Sequence, residues 1–210
     1  MQGHISGTYV RLLFEWLDEQ GMEAEKVLQR PCPELDERVR IPFDDWRAML
    51  ERVYQLTGDP VFGLKVGRRI TARHLGVLGY VTYSCNTLGE ALLRLQRFED
   101  LVHAVNDLHV SFEGELVLLQ WGAELGATGQ LADQTAQAVL VSYLRQVVGE
   151  DFNPVYMSFI NEKPADLRPY ETFFQCPVHF EAAYTTMAFP AIWLTKPLDK
   201  PDPVLRDILD

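Results

Sequence analysis

The apolar residues of this 210-residue chain change their spacing part-way along, and that change limits what the chain can fold into. Through the first hundred residues they recur every three to four positions, the period that buries one face of a helix. Val10, Leu13, Phe14 and Leu17 form such a stripe and predict a helix over residues 8–20, ended by Gly21. A shorter helix is expected from Glu23 to Gln29, after which Pro31 and Pro33 interrupt the pattern. Asp44 then reads as the N-cap of a helix through Trp46, Leu50, Val53 and Tyr54 that stops at Gly58-Asp59-Pro60. Val61 to Ile70 reads as another short helix, while Leu75 to Ser84 carries too many glycines to assign. Thr87-Leu88-Gly89-Glu90 has the form of a capping box, and Leu88, Ala91, Leu92, Leu95, Phe98 and Val102 line one face behind it.

From Leu108 the period shortens to two. Leu108, Val110 and Phe112 alternate with His109 and Ser111, and after Glu113-Gly114 the apolar run Leu116 to Trp121 resumes, which predicts a hairpin with a tight glycine turn. A helix follows through Ala136, Val139, Leu140, Tyr143, Leu144 and Val147 to Gly149. Val155 to Ile160 reads as a strand, Ala165 to Phe174 as a helix, and Val178–Phe180 with Thr186–Phe189 as a last strand pair. The fold class is therefore α+β, an N-terminal helical lobe followed by a mixed region of helices and antiparallel sheet. Residues 1–198 read as one domain, and 199–210, with Pro201 and Pro203, as a linker.

Composition narrows the function classes. With 19 basic against 30 acidic residues the net charge is −11, and the tightest basic group, Lys65, Arg68, Arg69 and Arg73, reads as a solvated helix face, so direct DNA binding by this chain is not expected. No apolar run approaches the roughly 20 residues of a membrane span. The N-terminus lacks the basic head and apolar stretch of a signal peptide, and Cys32, Cys85 and Cys176 are scattered, so a cytoplasmic location is expected.

No catalytic constellation emerges. The glycines at 63–67 and 76–79 lack the spacing of a nucleotide-binding loop, and Ser84 lies in Tyr-Ser-Cys-Asn rather than in a nucleophile elbow, which leaves it as a helix-end residue. Cys176-Pro177-Val178-His179 is a single metal-type pair where zinc needs three or four ligands, so no metal and no cofactor are expected. Glu99 and Asp100, adjacent on a helix and about 100° apart, read as solvated rather than as an acid/base pair. What remains is an aromatic inventory suited either to a core or to a small-molecule pocket. A ligand site is expected between segment 74–84 and the second-half sheet. His74, Tyr80, Tyr83, Trp121 and Tyr143 offer polar tips on apolar bodies there.

The segment Leu75-Gly76-Val77-Leu78-Gly79-Tyr80, followed by Ser84-Cys85-Asn86-Thr87-Leu88-Gly89-Glu90-Ala91-Leu92, resembles the effector-binding N-terminal domain of AraC-type transcriptional regulators. So do Tyr9 to Leu13, Ile41-Pro42, Thr57 to Pro60, and the tail with Tyr170, Phe173-Phe174, Cys176-Pro177-Val178, Phe189-Pro190 and Lys196-Pro197-Leu198. Tyr184-Thr185-Thr186-Met187 departs from the asparagine that family often has in that turn. The resemblance implies a small-molecule effector, a homodimer, and DNA contacts only through a C-terminal helix-turn-helix domain absent from this chain. A small cytoplasmic enzyme with an unrecognised site and a dimerisation module without ligand are the alternatives. The segment 87–105, with Leu93, Leu101 and Val105 off its main stripe, is the expected dimer surface.

Overall fold

The computed structural model describes residues 3–36, 38–98, 101–124 and 126–198, with His103 described in its backbone alone. The expected linker over 199–210 and the Glu99-Asp100 pair lie outside the described residues.

Strand β1 (His4–Ser6) runs straight into helix α1 (Gly7–Glu19). Ser6 caps that helix, its hydroxyl accepting from the Tyr9 N–H at 3.2 Å, and Gly21, at φ 74°, turns the chain away after it. Helix α2 (Ala24–Leu28) and strand β2 (Arg40–Pro42) lead to helix α3 (Phe43–Thr57). The cap of α3 is Pro42, not Asp44, which lies in the first turn. Proline's fixed φ suits a helix entry, and an acidic residue in the first turn still favours the positive end of the helix dipole.

Helix α4 (Phe62–Gly67), a 3₁₀ turn (Ala72–Leu75), helix α5 (Val77–Tyr83) and helix α6 (Leu88–Phe98) complete the first half. The Thr87 hydroxyl accepts from the Glu90 N–H at 3.3 Å, and the Glu90 carboxylate accepts from the Asn86 N–H at 2.8 Å, one residue before the expected partner. Helix α6 stops at Phe98, so the expectation of one two-sided helix across 87–105 is corrected: Val102 and Val105 lie beyond it and are buried. The N-terminal lobe is also not purely helical. Strand β3 (His103–Ala104) pairs with β1, and β1 with β2, as a small antiparallel sheet. Strands of two or three residues carry too little alternation to show a period.

The larger sheet has the order β4-β5-β8-β6-β7, built from β4 (Leu108–Glu113), β5 (Leu116–Trp121), β6 (Tyr156–Ser158), β7 (Val178–His179) and β8 (Thr185–Pro190). The hairpin β4-β5 turns through Gly114 at φ 59°, with Glu113 opposite Leu116. The expected pairing of Val178–Phe180 with Thr186–Phe189 does not occur: β6 lies between β7 and β8, parallel to β7 and antiparallel to β8. Helix α8 (Arg168–Phe174) makes the crossover that a parallel neighbour requires.

Helix α7 (Gln130–Val148) runs through the middle and buries residues on every side. One face meets α4 at very close range. A Cβ on Gly63 would stand 2.5 Å from the Thr135 hydroxyl, and one on Gly67 2.5 Å from the Ala138 Cβ and 2.8 Å from the Val139 backbone nitrogen. The two glycines let the helix backbones touch. Past β8 a 3₁₀ turn (Ala191–Thr195) packs behind α6, where the Leu88 N–H donates to the Lys196 carbonyl at 3.2 Å and the Leu198 N–H to the Asn86 carbonyl at 3.1 Å. No described helix is long and apolar enough to cross a membrane.

Candidate functional site

A cavity of about 150 Å³ lies between α5, α6, α7 and the end of the larger sheet. That is the size at which an apolar cavity holds one six-membered ring. Helix α6 supplies Leu88, Ala91, Leu92 and Leu95, helix α5 supplies Leu78 and Thr82, and α7 supplies Ala136, Leu140, Tyr143 and Leu144. Trp121 and Gly122 from the end of β5 and Thr185 from the start of β8 close the sheet side. These two ends meet because Trp121 and Thr185 are direct partners across β5 and β8.

The lining is polar at Asn106, Thr128, Asp133 and Gln137. Asp133 and Gln137 are one turn apart on α7, on the same face as Leu140 and Leu144. Asp133 is 8% exposed, and one of its oxygens accepts a hydrogen bond from the Thr128 hydroxyl. The Asn161 side chain also hydrogen-bonds the carboxylate, whereas Gln137 Oε1, sealed in the protein, has no hydrogen-bond partner among the described residues. Burial pushes the Asp133 carboxyl up to about 6, against the Thr128 and Asn161 side chains, which favour the ionised form. None of the described residues lining the cavity is Lys, Arg or His.

The five expected site residues divide. Trp121 and Tyr143 stand on the cavity wall. The Tyr143 hydroxyl is committed to the Gly79 carbonyl at 2.6 Å, and burial pushes its pKa up. Tyr83 lies behind the wall, edge-on to Tyr143 with ring centroids 6.4 Å apart. Tyr80 is 47% exposed, off the cavity lining. His74 is buried elsewhere: Nδ1 accepts from the Thr71 N–H at 3.1 Å, and Nε2 lies 3.0 Å from Glu15 of α1. Desolvation lowers the His74 pKa, with Glu15 opposing it. Glu15 also holds Arg73 at 2.6 Å, so this cluster fastens the 3₁₀ turn to α1, and none of its three residues is in the cavity lining.

Ser84 caps α5, its hydroxyl donating to the Val81 carbonyl at 2.7 Å. Cys176 is half-buried and His179 exposed, and among the described residues no three His, Cys, Asp or Glu side chains gather as metal ligands. The residues that sequence reasoning missed are Asp133 and Gln137. Their signal was present in the spacing 133, 137, 140, 144, two polar residues continuing an apolar helix stripe.

Residues 24–198, including every element that lines the cavity except Tyr9 of α1, match the arabinose-binding N-terminal domain of AraC transcription regulators. The chain belongs to that family. As an AraC-type domain it is 27% identical, over 207 residues, to the ornithine utilization regulator of Pseudomonas aeruginosa, covering 93% of this chain and 59% of that protein. The crystal structure of the transcriptional regulator CdpR from Pseudomonas aeruginosa shares its fold with a TM-score of 0.63 at 19% identity, covering 92% of this chain and 60% of that one. The AraC-type domain thus spans about three-fifths of the length of the regulators it matches.

Proposed function

We propose that this domain senses a small-molecule effector in the cavity and sets the activity of a DNA-binding segment of a longer cytoplasmic regulator. The observation that carries the reading is the cavity itself. It is apolar over most of its wall with a few polar side chains among the lining, the composition of a small-molecule site. Asp133 is the one carboxylate among the described lining residues, so the wall offers no acid/base pair for catalysis. DNA contacts belong to a segment outside this chain, since −11 net charge opposes binding to phosphates. A symmetric homodimer fits a regulator that reads paired half-sites.

Thermal unfolding of residues 1–210 against a panel of small metabolites tests the sensing role. A ligand of the folded state raises the midpoint by RT ln(1 + [L]/Kd) expressed as stability. A panel of ring-sized compounds that leaves the midpoint unmoved at millimolar concentration overturns it. A gel shift tests the division of labour: submicromolar, sequence-specific retention of DNA by residues 1–210 overturns that part.

A further inference from the structure

We propose that the cavity takes an uncharged, ring-sized apolar molecule and turns away carboxylates, ammonium ions and zwitterions of the same size. The inference rests on the sensing role above and names the chemical class of its ligand.

The polar side chains of the wall carry the argument, because most of them are already committed to the protein. The Tyr143 hydroxyl donates to the Gly79 carbonyl at 2.6 Å, and the Thr82 hydroxyl to the Leu78 carbonyl at 2.9 Å. Thr128 donates to Asp133, whose carboxylate is also held by the Asn161 side chain. The Asn106 amide donates to the Gly126 carbonyl at 3.4 Å, and the Thr185 hydroxyl accepts from the Ile160 N–H at 3.5 Å. Asp133 Oδ2 and Gln137 Oε1 are sealed in the protein, out of a ligand's reach. A wall that includes Thr, Tyr, Asn and Asp therefore meets its contents chiefly with carbon.

Charge decides what such a wall excludes. A carboxylate on the ligand would lie among leucines, with no Lys, Arg or His in the described lining to neutralise it and with the Asp133 carboxylate in the same wall. An ammonium ion has the better sign, but its three N–H donors need accessible acceptors, and the oxygens of Asp133 are engaged or sealed. Without a direct pair, the loss of its water shell is not offset. A neutral ring meets neither obstacle. Leu78, Leu88, Leu92, Leu95, Leu140 and Leu144 surround a space of about 150 Å³, the size at which an apolar protein cavity stays dry and accepts one arene. Its affinity comes from the apolar surface that ring and wall remove from water.

Four probes that share a phenyl ring test this: toluene, benzylamine, benzoate and phenylglycine, titrated calorimetrically at neutral pH into the 210-residue chain. Toluene is expected to bind, and each charged probe at least about tenfold more weakly, since an unpaired charge is costly to bury. Ala136→Leu grows a side chain from α7 into the cavity and is expected to weaken toluene by about tenfold or more. Ala91→Leu fills the same space from α6 and takes its place should Ala136→Leu fail to fold. A charged probe that binds as tightly as toluene, and is lost with it in the filled variants, overturns the uncharged assignment while leaving a sensing cavity in place. Toluene held equally well by the parent and the filled variants is seated elsewhere, which overturns the assignment too. Silence of all four probes overturns the assignment alone; the sensing role falls only if the wider metabolite panel is silent as well.

Discussion

The Tyr143 hydroxyl donates a 2.6 Å hydrogen bond to the backbone carbonyl of Gly79, fastening α7 to α5 beside the cavity. A tyrosine that reads as a ligand contact in the sequence thus spends its polar tip on the protein and shows the cavity its ring. Tyr143→Phe keeps the ring and loses the bond. The expected cost is about 1 kcal/mol of folding stability in urea titration. An unchanged unfolding midpoint would mean the bond contributes nothing net.

The meeting of α4 and α7 gives a second expectation. Gly67→Ala adds a methyl 2.5 Å from the Ala138 Cβ and 2.8 Å from the Val139 nitrogen, and backbone cannot move aside as a side-chain tip can. Alanine gains up to about 1 kcal/mol of helix propensity over glycine. Overpacking of about 1–3 kcal/mol is set against it. Net destabilisation, read as a lower Tm, is the expected sign, and a stabilised variant would contradict the close approach.

Asp133 should leave a trace in the pH dependence of stability. Its carboxyl is held up at about 6 in the folded domain, against 3.8 ordinarily, so folding takes up a proton between those values. The stability it contributes is complete below pH 3.8 and is lost as the pH rises through 6, amounting to about 3 kcal/mol for a shift of about two units. Exposed carboxylates such as Asp166, pulled down to about 2 by Arg168, act in the opposite direction. The informative quantity is therefore the difference between the parent and Asp133→Asn. The variant should gain stability relative to the parent from pH 4 to pH 7, and a flat difference would show that Asp133 titrates normally.

Leu93 is 70% exposed on α6 and Leu101 is 42% exposed just beyond it. Replacing Leu93 with Glu should change monomer stability by no more than about 0.5 kcal/mol, as at other exposed sites. If α6 forms the proposed dimer contact, light scattering will show the variant as a monomer at concentrations where the parent is paired. A dimer that persists in both Leu93→Glu and Leu101→Glu variants places the contact on another surface.

The long helices and the β4-β5 hairpin were legible in the sequence because each presents its period over six or more residues, and glycine marks the stop of α1 and α3 and the hairpin turn. Gly21, Gly58 and Gly114 all adopt the positive φ that such stops demand. The three short strands of the first lobe were not legible, since two or three residues have no period; β6 and β7 were legible as strands, but not their parallel pairing with each other, which joins segments some twenty residues apart. The site was legible only in part. Trp121 and Tyr143 were visible as amphipathic aromatics, and the same rule misplaced His74 and Tyr80, whose surroundings are set by Glu15 of a distant helix and by solvent. Asp133 was missed because an acidic residue early in a helix ordinarily serves the helix dipole, and its burial depends on how α7 is seated.

That seating has a mechanical consequence. On α7, Ala136, Gln137 and Leu140 face the cavity while Thr135 and Ala138 on the opposite side abut the glycines of α4, so the helix has no room to recoil. Of the other walls, α5, the sheet end and α6, it is α6 that is joined to the last described residues of the chain. That wall is stitched through Leu88 and Asn86 to Lys196 and Leu198. With α7 held against α4, the backbone bonds of Leu88 and Asn86 tie the α6 side of the cavity directly to the last residues before position 199.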